Sequence, residues 1–356
     1  MIELKNLVKI SKIVGERFDL VQAAGGNSSV KIKNNEMLIK ASGFLLSDMT
    51  INNGFSKVNT KKISNILKNK SIINETNKKK REHLVKKLLE KATIHKKNRP
   101  SIETLIHSSL YKYTLHTHPI VVNMIVIQKK WKEILLSIFK KENIALIPYK
   151  TPGIELALEL NRAVNTSKNI SKIYFLQNHG LIISSNNNLE ILKLTEFVLN
   201  KLEKFLDVNM YRYKLTNKIS KLINNVKKNT NVIYLSEDKY LNEKIIQNKK
   251  LFMQTPFCPD SLVFCGISAI FLNNLTDAKI LKNYMKTYRD LPKVIIFRQY
   301  IFFNAISIKK AREMEEIMKF HIMVLEKNLN TNINFLEPKE LSYLSNWEAE
   351  NFRKKI

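Results

Sequence analysis

The sequence predicts an α/β protein, and three observations carry that expectation. Short β-branched runs bounded by Gly, Asn and Pro alternate with longer segments of helical period. The 356 residues are 44% hydrophobic and 26% charged, ordinary for a chain that buries a sizeable core. The longest apolar run, PIVVNMIVIQ, is too short to span a bilayer and reads as a buried helix.

Taken in order, residues 3–18 have helical periodicity, and AAGGNSSVKIKNNEMLIKASG reads as a Gly turn, a strand, an Asn-Asn hairpin turn and a second strand. From about 56 to 99 the chain turns basic (NKKKREHLVKKLLEKATIHKKN), with apolar residues sparse on one face. That segment reads as a solvated helical insertion carrying His83 and His95 on its surface. SIETLIHSSLYKY follows Pro100 as a helix with Ser101 as N-cap. HTHPIVVNMIVIQKKWKEIL reads as a strand and then a helix, NIALIPY as a strand, TPGIELALELNRAVN as turn plus helix, and KIYFLQNHGLIISS as a hairpin leading into another helix. An α/β domain is expected over 1–215, a helical connector over 216–250, and a smaller α/β extension over 251–356. In the extension SLVFCG and AIFLNN read as strands, then come a helix, the strands of KVIIFRQYIFFNA, and a long helix. KIYFLQNHGLIISSNNNLEILKLT aligns without gaps on KVIIFRQYIFFNAISIKKAREMEE, placing His179 opposite Tyr300. The extension therefore reads as a partial, metal-free repeat.

A net charge of +29 invites a polyanion partner. The excess is lysine spread along the chain among many Asn and Ile, which favours a basic surface drawing in a phosphorylated small substrate over nucleic-acid binding. Cys258 and Cys265 are the only cysteines, with no disulfide framework or Cys-based zinc site, as in a reducing cytosol. The charged N-terminus lacks the apolar block of a signal peptide, so a cytoplasmic protein is expected, without a membrane partner.

The chemistry concentrates in LHTHP. On a strand of period two, His116 and His118 point to one face, a pincer for a divalent metal. His179, in QNHGL, is the third candidate, with Gly180 allowing a tight turn and close approach. Three imidazoles with open positions make a catalytic metal site. A base is also needed, and Glu103 lies on the helix before the His-bearing strand. Gly25, Gly26 and Asn27 form a turn whose N–H groups can cradle an anion, and Ser42-Gly43 and Ser101 are further anion candidates. His107 reads as a core or supporting histidine, the two cysteines as small buried hydrophobes, and His321 has no evident chemistry.

GGNSSVK, KASG, PSIETLIH, HTHP, YKTPGIELA and NHGLII, in this order, resemble the class II aldolase/adducin family from about residue 20 to 205. The resemblance implies a three-layer α/β/α fold with a mainly antiparallel central sheet, a Zn2+ (or other divalent metal) site from His116, His118 and His179, and Glu103 as acid/base. It maps the phosphate-contacting positions of sugar-phosphate enzymes onto Gly26, Asn27, Ser42, Gly43 and Ser101. With KASG, PFCPD near 256–260 and NWEAENFRK at the end, the chain is most similar to the aldolase half of bacterial rhamnulose-phosphate aldolase/dehydrogenase fusions. No GxGxxG-bearing βαβ unit is present. Ile102 stands where many members have a second serine, and Lys40 replaces a small hydroxyl residue. That lysine either offsets the loss as a point charge on phosphate or faces solvent. The implied activity is metal-dependent aldol cleavage of a sugar or sugar phosphate by a homo-oligomer, a tetramer by resemblance. A tyrosine from a neighbouring subunit often serves such enzymes as second acid; Tyr113 and Tyr149 lie near family blocks, and neither is singled out. The same ligand set serves epimerases, dehydratases and decarboxylases, and adducins keep the fold as a scaffold.

Overall fold

The computed structural model describes residues 2–95, 97–167, 169–228, 231–276 and 278–346, in two compact units that divide between Met210 and Tyr211. In the first unit, α1 (Ile2–Gly15) leads into the hairpin β1 (Asn27–Ile32) and β2 (Glu36–Lys40). Asn34 and Asn35 make its turn with positive φ, as an Asn-Asn turn between strands requires. β3 (Phe55–Asn59) pairs with β2 and lies at the start of the segment read as a helical insertion. Its alternate residues Ser56 and Val58 are buried, a period-two pattern hidden by the lysines around it. The helical part of the insertion is α2 (Thr60–Leu67), α3 (Lys70–Ile73) and α4 (Lys78–Ala92). His83 and His95 are exposed.

Then follow α5 (Thr104–Ser108), β4 (Tyr113–Thr117), α6 (Ile120–Val126), α7 (Trp131–Ile138), β5 (Ile144–Ile147), α8 (Ile154–Thr166), the hairpin β6 (Ile173–Leu176) and β7 (Gly180–Ser185), and α9 (Asn188–Leu206). The seven strands form one sheet in the order β3-β2-β1-β4-β7-β6-β5, antiparallel except where β5 runs parallel to β6. Alternation splits the core into two layers. Ile173, Phe175, Leu181 and Ile183 face a cluster with α1, α6, α7 and α9, whereas Tyr174, Leu176 and Ile182 face one with α2, α4, α5 and α8. β4 lies at the middle of the sheet, buried at every position. This mixed three-layer arrangement matches the expected fold class.

The second unit contains α10 (Tyr211–Val226), β8 (Val232–Leu235), α11 (Lys239–Gln247), a 3-10 turn at Lys249–Met253, α12 (Pro259–Cys265), β9 (Ile270–Leu272), α13 (Lys279–Tyr288), β10 (Val294–Phe297), β11 (Tyr300–Ala305), α14 (Ile308–Lys327) and α15 (Pro338–Asn346). Two expectations change here. The segment 216–250 is not only a helical connector, because β8 joins the sheet β8-β11-β10-β9. SLVFCG is helical, not a strand: Pro259 starts α12 and Gly266 ends it at φ 78, so two residues that looked like strand punctuation are helix boundaries. NWEAENFRK, apart from Asn346, lies outside the described residues.

The sheet β8-β11-β10-β9 has the order and strand senses of β4-β7-β6-β5. The hairpins differ in one respect. Leu176 pairs with Gly180 across Gln177, Asn178 and His179, whereas Phe297 pairs with Tyr300 across only Arg298 and Gln299. By register, then, Tyr300 stands in the place of Gly180, and Leu235, paired to Phe302, in the place of His116, paired to Ile182. Among the described residues, no helix is long and apolar enough to cross a membrane.

Candidate active site

Three backbone devices place the histidines. His116 lies on β4 between β1 and β7, opposite Asn27 on one side and Ile182 on the other. His118 lies just past the strand end, where its N–H donates to the Leu20 carbonyl at 2.9 Å. His179 closes the β6–β7 turn after Asn178, whose φ is 54°, and donates its N–H to Leu176 at 3.2 Å. Gly180 lets these segments meet, since a Cβ there would collide with the Thr117 carbonyl and the His118 ring.

The ring nitrogens converge. Nε2 of His116 lies 3.0 Å from that of His118 and 3.2 Å from that of His179, and all three ligand atoms fall within 4.8 Å of one another. Nδ1 of His116 is 3.0 Å from the Leu181 carbonyl, which only accepts, so Nδ1 carries the proton and the Nε2 lone pair faces the cluster. Burial pushes the His116 pKa down to about 3 and also lowers that of His118, leaving both neutral, as metal ligands must be. The two separations from His116 are close to the roughly 3.3 Å between ligands of a tetrahedral ion with arms of about 2.05 Å. The donor set therefore fits zinc or a similar divalent ion.

Glu103 closes the cluster. Its Oε1 lies 3.5 Å from Nε2 of His116 and 3.4 Å from that of His179, while Oε2 accepts from the amide of Asn27. Burial alone would raise its pKa; His116, His179 and His107 outweigh burial and hold it below the usual carboxylate range. Glu103 caps the short α5, and Ser101 is not the N-cap expected. Instead the Ser101 hydroxyl accepts the Glu103 N–H at 3.3 Å, orienting the residue from within a turn.

The anion candidates gather at one rim. Gly26, at φ 71, packs on the His116 carbonyl, and Asn27 keeps a buried Oδ1 without a partner. Ser42 and Gly43 are exposed, and a Cβ on Gly43 would meet nothing within 4 Å. Ser42 donates its N–H to Arg99 at 2.9 Å, and Ala41 bridges Pro100, which brings the Ser42 turn beside Ser101. Lys40 does not face solvent. It is 2% exposed, and its ammonium donates to the carbonyls of Ala24 at 3.1 Å and Phe44 at 2.7 Å, clamping the glycine turn to the serine turn. Burial lowers its pKa to about 8, with Glu103 pulling the other way.

His107 is fully buried with Nδ1 2.8 Å from the Ser29 hydroxyl, and burial takes its pKa to about 3. Tyr113 is buried and Tyr149 exposed. Cys265 is buried and Cys258 half-buried.

One supporting group escaped the sequence reading. Arg17 and Asp19, both 2% exposed, form a paired guanidinium–carboxylate contact at 3.0 and 2.6 Å, and Arg17 also reaches Glu196. The carbonyls of Asp19 and Leu20 accept the N–H groups of Ile120 and His118, so this ion pair braces the loop that carries His118. The only signal was two opposite charges beside an apolar run in ERFDL.

The model of the "Class II Aldolase and Adducin N-terminal domain" matches residues 5–203. Among solved structures, the N-terminal class II aldolase domain of a conserved protein from Thermoplasma acidophilum superposes with a TM-score of 0.50 at 24% identity, covering 57% of this chain and 93% of that one. An aldolase II superfamily protein from Pseudomonas syringae gives 0.43 at 15% identity, over 61% and 85%. An L-fuculose-1-phosphate aldolase from Thermus thermophilus gives 0.39 at 15% identity, over 58% and 94%. No curated protein matches the chain significantly. With more than half its length matched, the chain belongs to the class II aldolase and adducin N-terminal domain family.

Proposed function

We propose that the first unit catalyses metal-dependent aldol cleavage, or its reverse, of a sugar or sugar phosphate. The carrying observation is the convergence of three imidazole Nε2 atoms with a carboxylate oxygen 3.4–3.5 Å from two of them. His116, His118 and His179 would hold zinc or another divalent ion, which supplies Lewis acidity to the substrate carbonyl and its adjacent hydroxyl. Glu103, its Oε2 held by Asn27, presents Oε1 to take and return the proton at the donor carbon. Gly26, Asn27, Ser42, Gly43 and Ser101 frame the anionic end of the substrate, and Lys40 acts on it by holding the Ala24 and Phe44 turns together. Assembly as a homo-oligomer belongs to the same reading.

Elemental analysis of purified wild type beside His179→Ala is the test. About one divalent ion per chain, lost in the variant, justifies screening ketose phosphates for an aldehyde product. An epimer or a dehydrated product would instead assign one of the family's other reactions. No bound metal and no uptake on reconstitution would sink the lyase mechanism in favour of a scaffold.

A further inference from the structure

The second unit contains a cavity of about 570 Å³ far richer in cations than in carboxylates. Lys227, Lys228, Lys293, Lys309 and Lys310 line it, against Asp290 and Glu313. Its volume is in the range of small-molecule sites, roughly 300–1,000 Å³. Val263, Phe264, Leu291 and Met314 add apolar lining.

The corresponding place in the first unit explains why so many lysines are unusual here. There, Lys172 precedes β6 and binds both oxygens of Glu190 at 2.7 and 2.9 Å. Ser185 also donates to Glu190. Glu190 sits in the first turn of α9, three residues after the N-cap Asn187, where a carboxylate complements the helix dipole. In the second unit Lys293 stands before β10 as Lys172 stands before β6. Each accepts at its carbonyl the N–H of the hairpin's other strand, from Asn304 at 2.8 Å and Ser184 at 2.9 Å. Ala305 takes the place of Ser185. Three residues after the N-cap Ser307 comes Lys310, preceded by Lys309, and the first turn of α14 has no acidic residue. A neutralising carboxylate is thus replaced by two cations at the positive end of a helix. Lys310 turns to Glu313 at 2.8 Å and lies over the Phe264 ring, while Lys293 donates to the Val263 carbonyl. A sequence that breaks the charge rule of a helix start, beside a cavity, marks a site for the missing negative charge.

We propose that this cavity binds a small organic phosphate. Its phosphate sits among Lys293, Lys309 and Lys310, and its apolar body lies against Val263, Leu291 and Met314. The site shares no residue with the histidine cluster, and the proposal does not depend on the catalytic reading.

The experiment is calorimetric titration of the full-length protein with phenyl phosphate, comparing wild type, Lys310→Glu and Lys310→Gln. Lys310→Glu recreates the lysine–glutamate pair of the first unit and should fold at least as stably. Lys310→Gln removes the charge without adding a carboxylate. Saturable binding that weakens by about tenfold or more in both variants, is competed by inorganic phosphate and untouched by phenol, and falls with salt, is the expected result. Metal content should be the same in all three proteins, which separates this outcome from any failure of the histidine site. An isotherm that neither variant moves, or no saturable binding in wild type, overturns the proposal.

Discussion

The Asn27 amide holds one oxygen of Glu103 and leaves the other facing His179 at 3.4 Å. The two residues come from a strand start and a helix cap, 76 positions apart. One carboxylate is thereby divided into an oxygen anchored on Asn27 and one turned to the histidines.

Asn27→Ala should therefore leave metal content unchanged while activity falls by about 10- to 100-fold, the scale set by a misplaced catalytic group. Metal analysis alongside kcat/KM on the substrate found by screening checks this. Equal activity would mean that Glu103 is positioned without its amide partner.

Gly180→Ala should damage both fold and site, because the added methyl group meets the Thr117 carbonyl and the His118 ring. Overpacking of this kind costs about 1–3 kcal/mol. A lowered melting temperature together with weaker retention of added divalent metal against a chelator is the expected pair of results. A variant that melts and binds like wild type would show that the hairpin yields easily.

Arg17→Met strands the buried Asp19 carboxylate, a loss of about 3–5 kcal/mol for breaking such a pair. The double variant Arg17→Met/Asp19→Leu should recover much of it, since the uncompensated charge is then gone. Urea unfolding of both variants measures the difference. If the double variant is no better than the single one, the hydrogen bonds outweigh the charge.

His321 contributes to the acid dependence of the second unit. Burial takes its pKa from 6.5 to about 4, and its Nδ1 lies 3.1 Å from the Ser261 hydroxyl. Because the folded state binds the proton less tightly than the unfolded chain, its contribution is full above pH 6.5 and is lost as the pH falls towards 4. The linkage amounts to about 3 kcal/mol at some 1.4 kcal/mol per unit. His321→Gln should flatten that part of the stability curve relative to wild type. Parallel curves between pH 7 and 4 would refute it.

Legibility in the sequence followed the range of the interactions. The histidines could be read because His-x-His on a strand and His-Gly at a turn are local patterns with few meanings. The hairpin of β1 and β2 was equally plain from its asparagines. β3 was hidden because its alternation spans only Phe55–Asn59 inside a lysine-rich stretch. α12 was misread because a short apolar run fits a strand or a buried helix alike. The destination of Lys40 depends on two carbonyls brought together only by the fold. The Arg17–Asp19 brace is local in sequence, yet its purpose lies in the backbone of Leu20 and His118, far apart along the chain.

The one-residue difference between the two hairpins has a genetic reading. His179 belongs to a three-residue loop, and the second unit closes the same pair of strands with two. The place of His179 thus depends on loop length, which strands tolerate changing, rather than on strand sequence, which they do not. Loss of a single codon in this loop would give it the two-residue length found in the second unit and displace the third imidazole. On the proposed reading, the step from a complete three-histidine cluster to an incomplete one is one small deletion wide.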